Sequence, residues 1–387
     1  MNNQTRIHGI DALRAVAMLL GVLLHATIAY RVMPKKNWVH DDGFTNWIFD
    51  FTYFFIHSFR MPLFFIIAGY FCRLLFKRVG EKEFIRRRWV RVGIPFVIGM
   101  LIIVPMATIP YSIYNYYHIQ HLPLNTAILK SLFKIPGTSG VGHLWFLYDL
   151  MMFYVVTVIL MRMKKYAVFE KYAEKVIRWW KTRSFDAIYW PFILSIPVWM
   201  ILFREKELFV LSDPLIIPRH VSYIVFYGYF FALGWLIHVR PDVFNLLIKN
   251  FKMLLSIGLL IVIGLFYAQW TNLQNKSYGV LLMLKMLAAF QVVFLSLGFI
   301  GFFLRYFNLE SRFWKYISDA SYWIYLIHLG FVIGLQTVFL NSFVPGWLRF
   351  PIALIIPTII SLVTYQWFVR YTIIGKVLHG ERKKVNH

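Results

Sequence analysis

Runs of about 20 predominantly apolar residues recur from one end of this chain to the other, each long enough to cross a ~30 Å hydrocarbon core as a helix. Lipid offers the backbone no hydrogen-bond partner, so such segments must satisfy their own polar groups as helices. Ten are expected, near 10–30, 52–75, 93–115, 143–161, 187–203, 219–238, 253–271, 279–304, 316–340 and 349–371. That pattern defines an all-α polytopic membrane protein. The composition agrees: of 387 residues, 59% are hydrophobic and only 15% charged, a balance foreign to water-soluble domains.

A net charge of +24 is compatible with nucleic-acid binding, but the basic residues sit in alternate connections between the apolar runs. That distribution encodes topology instead, so no nucleic acid is expected as a partner. Arg73 to Arg91 holds eight basic and two acidic side chains, and Arg162 to Asp186 holds eight and three. Both connections are expected in the cytoplasm. The alternate ones, 31–51 and 204–218, nearly balance their charges, and 272–278 carries only Lys276. With ten spans, both termini then lie inside. One membrane domain is expected over 1–376, with a basic cytoplasmic tail, 377–387, next to anionic lipid. The first run has no small-residue cleavage pattern and is expected to remain as a signal anchor. Cys72 is the single cysteine, which excludes an internal disulfide and a cysteine metal cluster.

Ionisable groups at membrane depth cost several kcal/mol unless paired or hydrated, so each is a candidate for function. Arg14 and His25 share the first span, eleven residues or about 16 Å apart and on nearly one face. Asp11, one turn before Arg14, offers a simple ion-pair alternative. His57 and Arg60 lie at i, i+3 in the outer third of the second span, beside Pro62, with snorkelling of Arg60 to outer headgroups as the structural alternative. His143 and Trp145 in "GHLWFLYDL" fall at the outer rim of the fourth span, where an aromatic belt also fits. Deeper in the same span, Asp149 offers a partner for Lys285. Tyr325 and His328 reach the middle or outer half in the ninth, where an interhelical hydrogen bond competes with a site role. Four histidines from remote segments therefore share a depth. On the cytoplasmic side, "FIRRRWVRVGIP" places Arg88 and Arg91 at i, i+3, a fork suited to phosphates as well as a topology signal.

Several chemistries are absent from the sequence. There is no Walker phosphate loop, G-x-S-x-G elbow, H-E-x-x-H zinc motif or dinucleotide fingerprint. His118 and His121 in "HIQH" have no carboxylate beside them, so no metal is expected. An H-x-x-x-x-D acyltransferase signature is missing as well.

Arg14 and His25 in "LRAVAMLLGVLLH" and Arg88 and Arg91 at the start of the third span resemble, in order, the R-x10-H and R-x-x-R patterns of the acyltransferase 3 family of integral membrane proteins. "HSFRMPLFFIIAGYF", "HLWFL" and "ASYWIYLIH" are similar to its glucan-modifying branch, linked with succinylation of periplasmic glucans. The resemblance implies a multi-pass enzyme of the cytoplasmic (inner) membrane that moves an acyl group, succinyl or acetyl, from cytoplasmic acyl-CoA to a hydroxyl of an extracytoplasmic glycan or lipid-linked sugar. It implies no metal cofactor. Without a fused extracytoplasmic domain after the last span, transfer falls to the membrane domain or to a separate partner.

On that reading, Arg88, Arg91 and Arg14 lie near the CoA phosphates while His25 takes the acceptor proton, a task suited to an imidazole. His57 or Arg60 stabilises the oxyanion or holds the acceptor. His143, Trp145, Tyr325 and His328 line the acceptor side. Two other classes fit the composition: a glycan or amphiphile transporter or flippase without acyl transfer, and a non-catalytic subunit that docks a partner.

Overall fold

The computed structural model describes residues 7–36, 38–133, 140–164, 166–182, 189–205, 220–340 and 342–380. Parts of the expected 162–186 and 204–218 connections, and 381–387 of the expected basic tail, lie outside the described residues. Among those described, the chain forms helices and no strand. In order these are α1 (His8–Thr27), α2 (Trp47–Arg88), α3 (Ile94–Ile98), α4 (Val104–Tyr114), α5 (Leu124–Leu132), α6 (Trp145–Met163) and α7 (Ala167–Thr182). They continue as α8 (Trp190–Phe203), α9 (Val221–Val239), α10 (Val243–Trp270), α11 (Tyr278–Tyr306), α12 (Arg312–Phe339), α13 (Gly346–Thr364) and α14 (Ile373–Leu378).

Eight helical stretches among the described residues are long and apolar enough to cross a membrane. One of them, Trp47–Ile119, takes in two of the expected segments within 73 residues. Its path breaks at Gly80, whose φ of 75° lies in the left-handed region where glycine meets no steric penalty. A straight helix would put Phe71 and Arg88 about 25 Å apart, yet the Arg88 guanidinium donates to the Phe71 carbonyl at 3.4 Å. The chain therefore folds back at Gly80. Beyond it, π-helical turns precede α3 at Trp89–Gly93, separate it from α4 at Gly99–Ile103 and follow α4 at Asn115–Ile119. The expected segment 187–203 corresponds to α8, a shorter apolar helix of 14 residues.

The buried axis of the bundle is α11, with α1, α2, α8 and α10 packed around it. Ala288, Val293, Phe294 and Leu295 of α11 are wholly buried, whereas α10 and α13 turn Leu260 and Ile355 outward. An apolar outer surface around a buried helix is what lipid as solvent requires, and the protein is a multi-pass membrane protein. Close approach of α2 and α9 depends on two glycines. A Cβ on Gly69 would stand 1.9 Å from the Phe231 carbonyl oxygen, and one on Gly234 would stand 1.8 Å from that of Ile66. Small residues of this kind let membrane helices meet backbone to backbone.

Candidate active site

Three imidazoles form a row in the interior. The His25 ring of α1 lies 5.4 Å from that of His328 on α12, and His328 lies 6.0 Å from His143, in the tight turn Gly142–Leu144 that opens α6. His143 and His328 are buried. Their protons are assigned by their partners, because a carbonyl oxygen only accepts. His328 Nδ1 faces the Ile324 and Tyr325 carbonyls at 2.8 and 3.0 Å and must donate. His143 Nε2 faces the Leu326 carbonyl at 2.9 Å and must donate too. In neutral rings, His328 Nε2 and His143 Nδ1 are then left as lone pairs, and both atoms are buried without a hydrogen-bond partner. Tyr325 completes the junction by donating its hydroxyl to the His143 carbonyl at 2.6 Å.

His25 is held from above and behind. The indole of Trp38, from the loop between α1 and α2, stacks on its ring at 5.5 Å with planes 13° apart. Gln336 on α12 accepts from the Trp38 indole N–H at 3.1 Å and donates to the His25 and Ala26 carbonyls at 3.1 and 3.0 Å. One amide thus fixes both members of the stack. The loop itself is stapled at two points. Asp50 accepts from Arg31 Nε at 3.0 Å and from the Val32 N–H at 2.7 Å, and Asp41 pairs with Arg349 of α13 at 2.7 Å.

Arg60 of α2 lies against α1 at Gly21, one turn before His25. A Cβ there would fall 2.0 Å from an Arg60 terminal nitrogen, so only glycine admits the guanidinium in this position. Arg60 makes no ion pair among the described residues and is within electrostatic reach of His25, His328, Tyr227 and Tyr325. His57 is placed differently: its ring stacks on Tyr53 at 5.2 Å, outside the imidazole row. Tyr53 in turn accepts from Lys35 at 3.2 Å and carries the Arg31 guanidinium 4.2 Å over its ring. Trp145 packs against Tyr223 and Tyr227. Asp149 is within reach of Tyr227 and Tyr325, and Lys285 donates to the Glu205 backbone carbonyl.

The arginines at the other end of α1 meet around aromatic rings. Arg88 lies 4.8 Å over Tyr154 of α6 and 5.5 Å over Phe84, and its Nε is buried without a hydrogen-bond partner. Arg14, paired with Asp11 at 3.6 Å, is 39% exposed and also within reach of Tyr154. Arg91 lies in the π-helical turn Trp89–Gly93. Pro95 has no N–H to offer the Arg91 carbonyl four residues earlier, and the Tyr322 hydroxyl of α12 donates to that carbonyl at 2.9 Å. Helix α12 therefore touches both groups of residues.

Residues 7–366 match an acyltransferase domain over almost the entire chain. The chain belongs to the acyltransferase 3 family. It is also similar to glucans biosynthesis protein C of Salmonella schwarzengrund (strain CVM19633), Salmonella typhi and Salmonella typhimurium (strain LT2). In each case identity is 26% and the alignment covers 97% of this chain and 95% of the relative. No solved structure matches it.

This acyltransferase thus has its R-x10-H pair on α1 and its R-x-x-R pair at the first π-helical turn, the two patterns meeting different sets of neighbours. Sequence reasoning missed Trp38, Gln336 and Gly21. Only Gln336 left a signal, as an amide in an apolar run; the roles of the other two depend on contacts with distant segments. His118 rests against Tyr114 and Tyr117. Among the described residues no group of three His, Cys, Asp or Glu is placed to hold a metal.

Proposed function

We propose that this acyltransferase moves an acyl group, succinyl or acetyl, from cytoplasmic acyl-CoA to a hydroxyl of an extracytoplasmic glycan or lipid-linked sugar. The matching topology is ten spans across the cytoplasmic (inner) membrane with both termini in the cytoplasm, formed by one domain over 1–376 and the basic tail 377–387. The observation that carries this reading is the pairing on one helix of two unlike ends: His25 in a row of imidazoles, and Arg14 among cations gathered at Tyr154. The span between them, about 16 Å along the helix, suits an extended thiol arm. The glycan acceptor is supported by the name of the relatives.

In the proposed step His25 accepts the proton of the acceptor hydroxyl as its oxygen attacks the thioester carbonyl. The tetrahedral intermediate collapses with cleavage of the carbon–sulfur bond. The thiolate leaves, the imidazolium returns the proton to it, and an ester remains on the sugar. Arg60, beside α1 and outside any described ion pair, is suited to the oxyanion, with His57 farther out toward the acceptor. Arg88, Arg91 and Arg14 attract the donor's phosphates. His143, Trp145, Tyr325 and His328 form the acceptor wall, where the lone pairs of His143 and His328 match sugar hydroxyl protons.

The test is transfer of label from a panel of acyl-CoAs to envelope carbohydrate by membranes holding equal amounts of wild type or His25→Ala. Transfer by the wild type, lost in the variant while CoA still binds, supports the mechanism and identifies the donor. Equal transfer by both removes His25 from the chemistry. No transfer from any donor turns the reading toward transport.

A further inference from the structure

A second group of cations lies away from the Arg14–Arg88 set, where α2, α7 and α9 meet. Arg73 of α2 is only 8% exposed, yet it makes no ion pair among the described residues and its Nε has no hydrogen-bond partner. Its guanidinium lies 5.1 Å over the Trp235 ring of α9. Lys77 is within electrostatic reach of Arg73, Lys164 and Lys181, and His238 is within reach of Arg73 and Lys77. The carboxylates of the same connection are engaged elsewhere. Glu81 holds Arg162 at 2.6 Å, and Glu83 holds Arg86 and Arg87 at 2.7 Å each. Like charges gathered around a buried arginine destabilise the fold unless an anion joins them.

Helix α7 supplies an independent observation about the kind of anion. Its Trp180 is buried, and the Trp180 carbonyl accepts from Arg240 at the end of α9 at 3.1 Å. Val168, Tyr172, Val176 and Trp179, spaced as one helical stripe, are all exposed. Lys171, Lys175, Arg178 and Lys181 of the same helix are exposed as well. An apolar stripe carrying Trp and Tyr, flanked by lysine and arginine, is the pattern of a helix lying in the membrane interface. A phosphate in the cation cluster would thus lie against a helix that also carries an exposed apolar surface.

We propose that the junction of α2, α7 and α9 is a binding site for an anionic phospholipid, its phosphate among Arg73, Lys77, Lys181 and His238 and an acyl chain along the exposed stripe of α7. Aromatic contact with Trp235 orients the Arg73 guanidinium toward the phosphate, which it binds in a forked manner. A nucleotide phosphate of the acyl donor shares the phosphate chemistry but has no use for the stripe. The leaflet rests on the topology proposed above; the site itself does not.

The test is native mass spectrometry of the full chain released from phosphatidylcholine nanodiscs that contain a minority of phosphatidylglycerol, a measurement independent of acyl transfer. Wild type should retain phosphatidylglycerol in preference to phosphatidylcholine. Lys77→Gln and Lys181→Gln, both at exposed positions, should each weaken that retention about fivefold, and the double variant more. Arg73→Gln should weaken it further, and Arg73→Lys, which keeps the charge but not the fork, should fall between Arg73→Gln and wild type, which separates lost charge from lost folding. Equal retention by wild type and the double variant overturns the proposal. So does weakened coenzyme A binding by the variants in pure phosphatidylcholine with phosphatidylglycerol retention unchanged, an outcome that assigns the phosphate to the donor.

Discussion

The two ends of α1 are built on different principles. Around His25, two imidazoles and an amide are tied to backbone carbonyls and an indole to that amide, so the proton positions of His143 and His328 are specified. At the Arg14 and Arg88 end, Arg88 lies over two aromatic rings while Arg14 pairs with Asp11, and one long hydrogen bond to Phe71 is the only described hydrogen bond made by the Arg88 side chain. Backbone carbonyls specify a geometry to within a few tenths of an ångström. A ring face attracts a cation across a broad area and leaves its N–H groups available. The first arrangement suits bond making, where misplacement is costly; the second suits a flexible, multiply charged ligand.

Four substitutions break or sharpen that contrast. The largest effect is expected from His25→Ala, with transfer falling about 10²- to 10⁴-fold, the usual contribution of a general base. Donor binding, measured by coenzyme A titration, should be kept. Arg88→Gln should act the other way, raising the donor KM by ~10- to 100-fold, since bonds to charged groups contribute about 1.5–3 kcal/mol, with kcat little changed. A fall in kcat alone would erase the division of labour. Gly21→Ala places a methyl where the flexible end of Arg60 lies, so the guanidinium must swing aside, and transfer should fall about tenfold through its misplacement. In an Arg60→Ala background the same change should have almost no effect, and a full additive loss would show that Gly21 serves something other than Arg60. The smallest effect is expected from Tyr322→Phe, which removes the bond to the Arg91 carbonyl, worth ~1 kcal/mol. A few-fold rise in donor KM, seen in initial rates, is the expected result.

The sequence made much of this arrangement legible because a membrane leaves few choices. Apolar length marks where helices can run, and an ionisable residue inside such a run declares itself, as Arg14, His25, Arg60 and His328 do. Depth along a helix follows from residue number, and that was enough to align the histidines. Which of them touch was not legible. His25, His328 and His143 come together, while His57 turns to Tyr53, because lateral contacts depend on how separate helices rotate against one another. Glycine at position 21 carries no visible signal until Arg60 is seen beside it. The division of Trp47–Ile119 at Gly80 was visible only as a gap between apolar runs, with no sign of the π-helical turns that follow.

The loop that carries Trp38 over His25 has a consequence for behaviour in salt. Asp50 and Asp41, which staple it, are 2% and 5% exposed in their ion pairs, whereas the Arg14–Asp11 pair at the other end is 39% and 14% exposed. Ions in solution screen exposed charges over a Debye length and reach buried pairs far less. Raising ionic strength should therefore loosen the cationic end first and leave the cover over His25 in place. Within one molecule, capture of a charged ligand then becomes sensitive to the medium while the environment of the imidazoles does not.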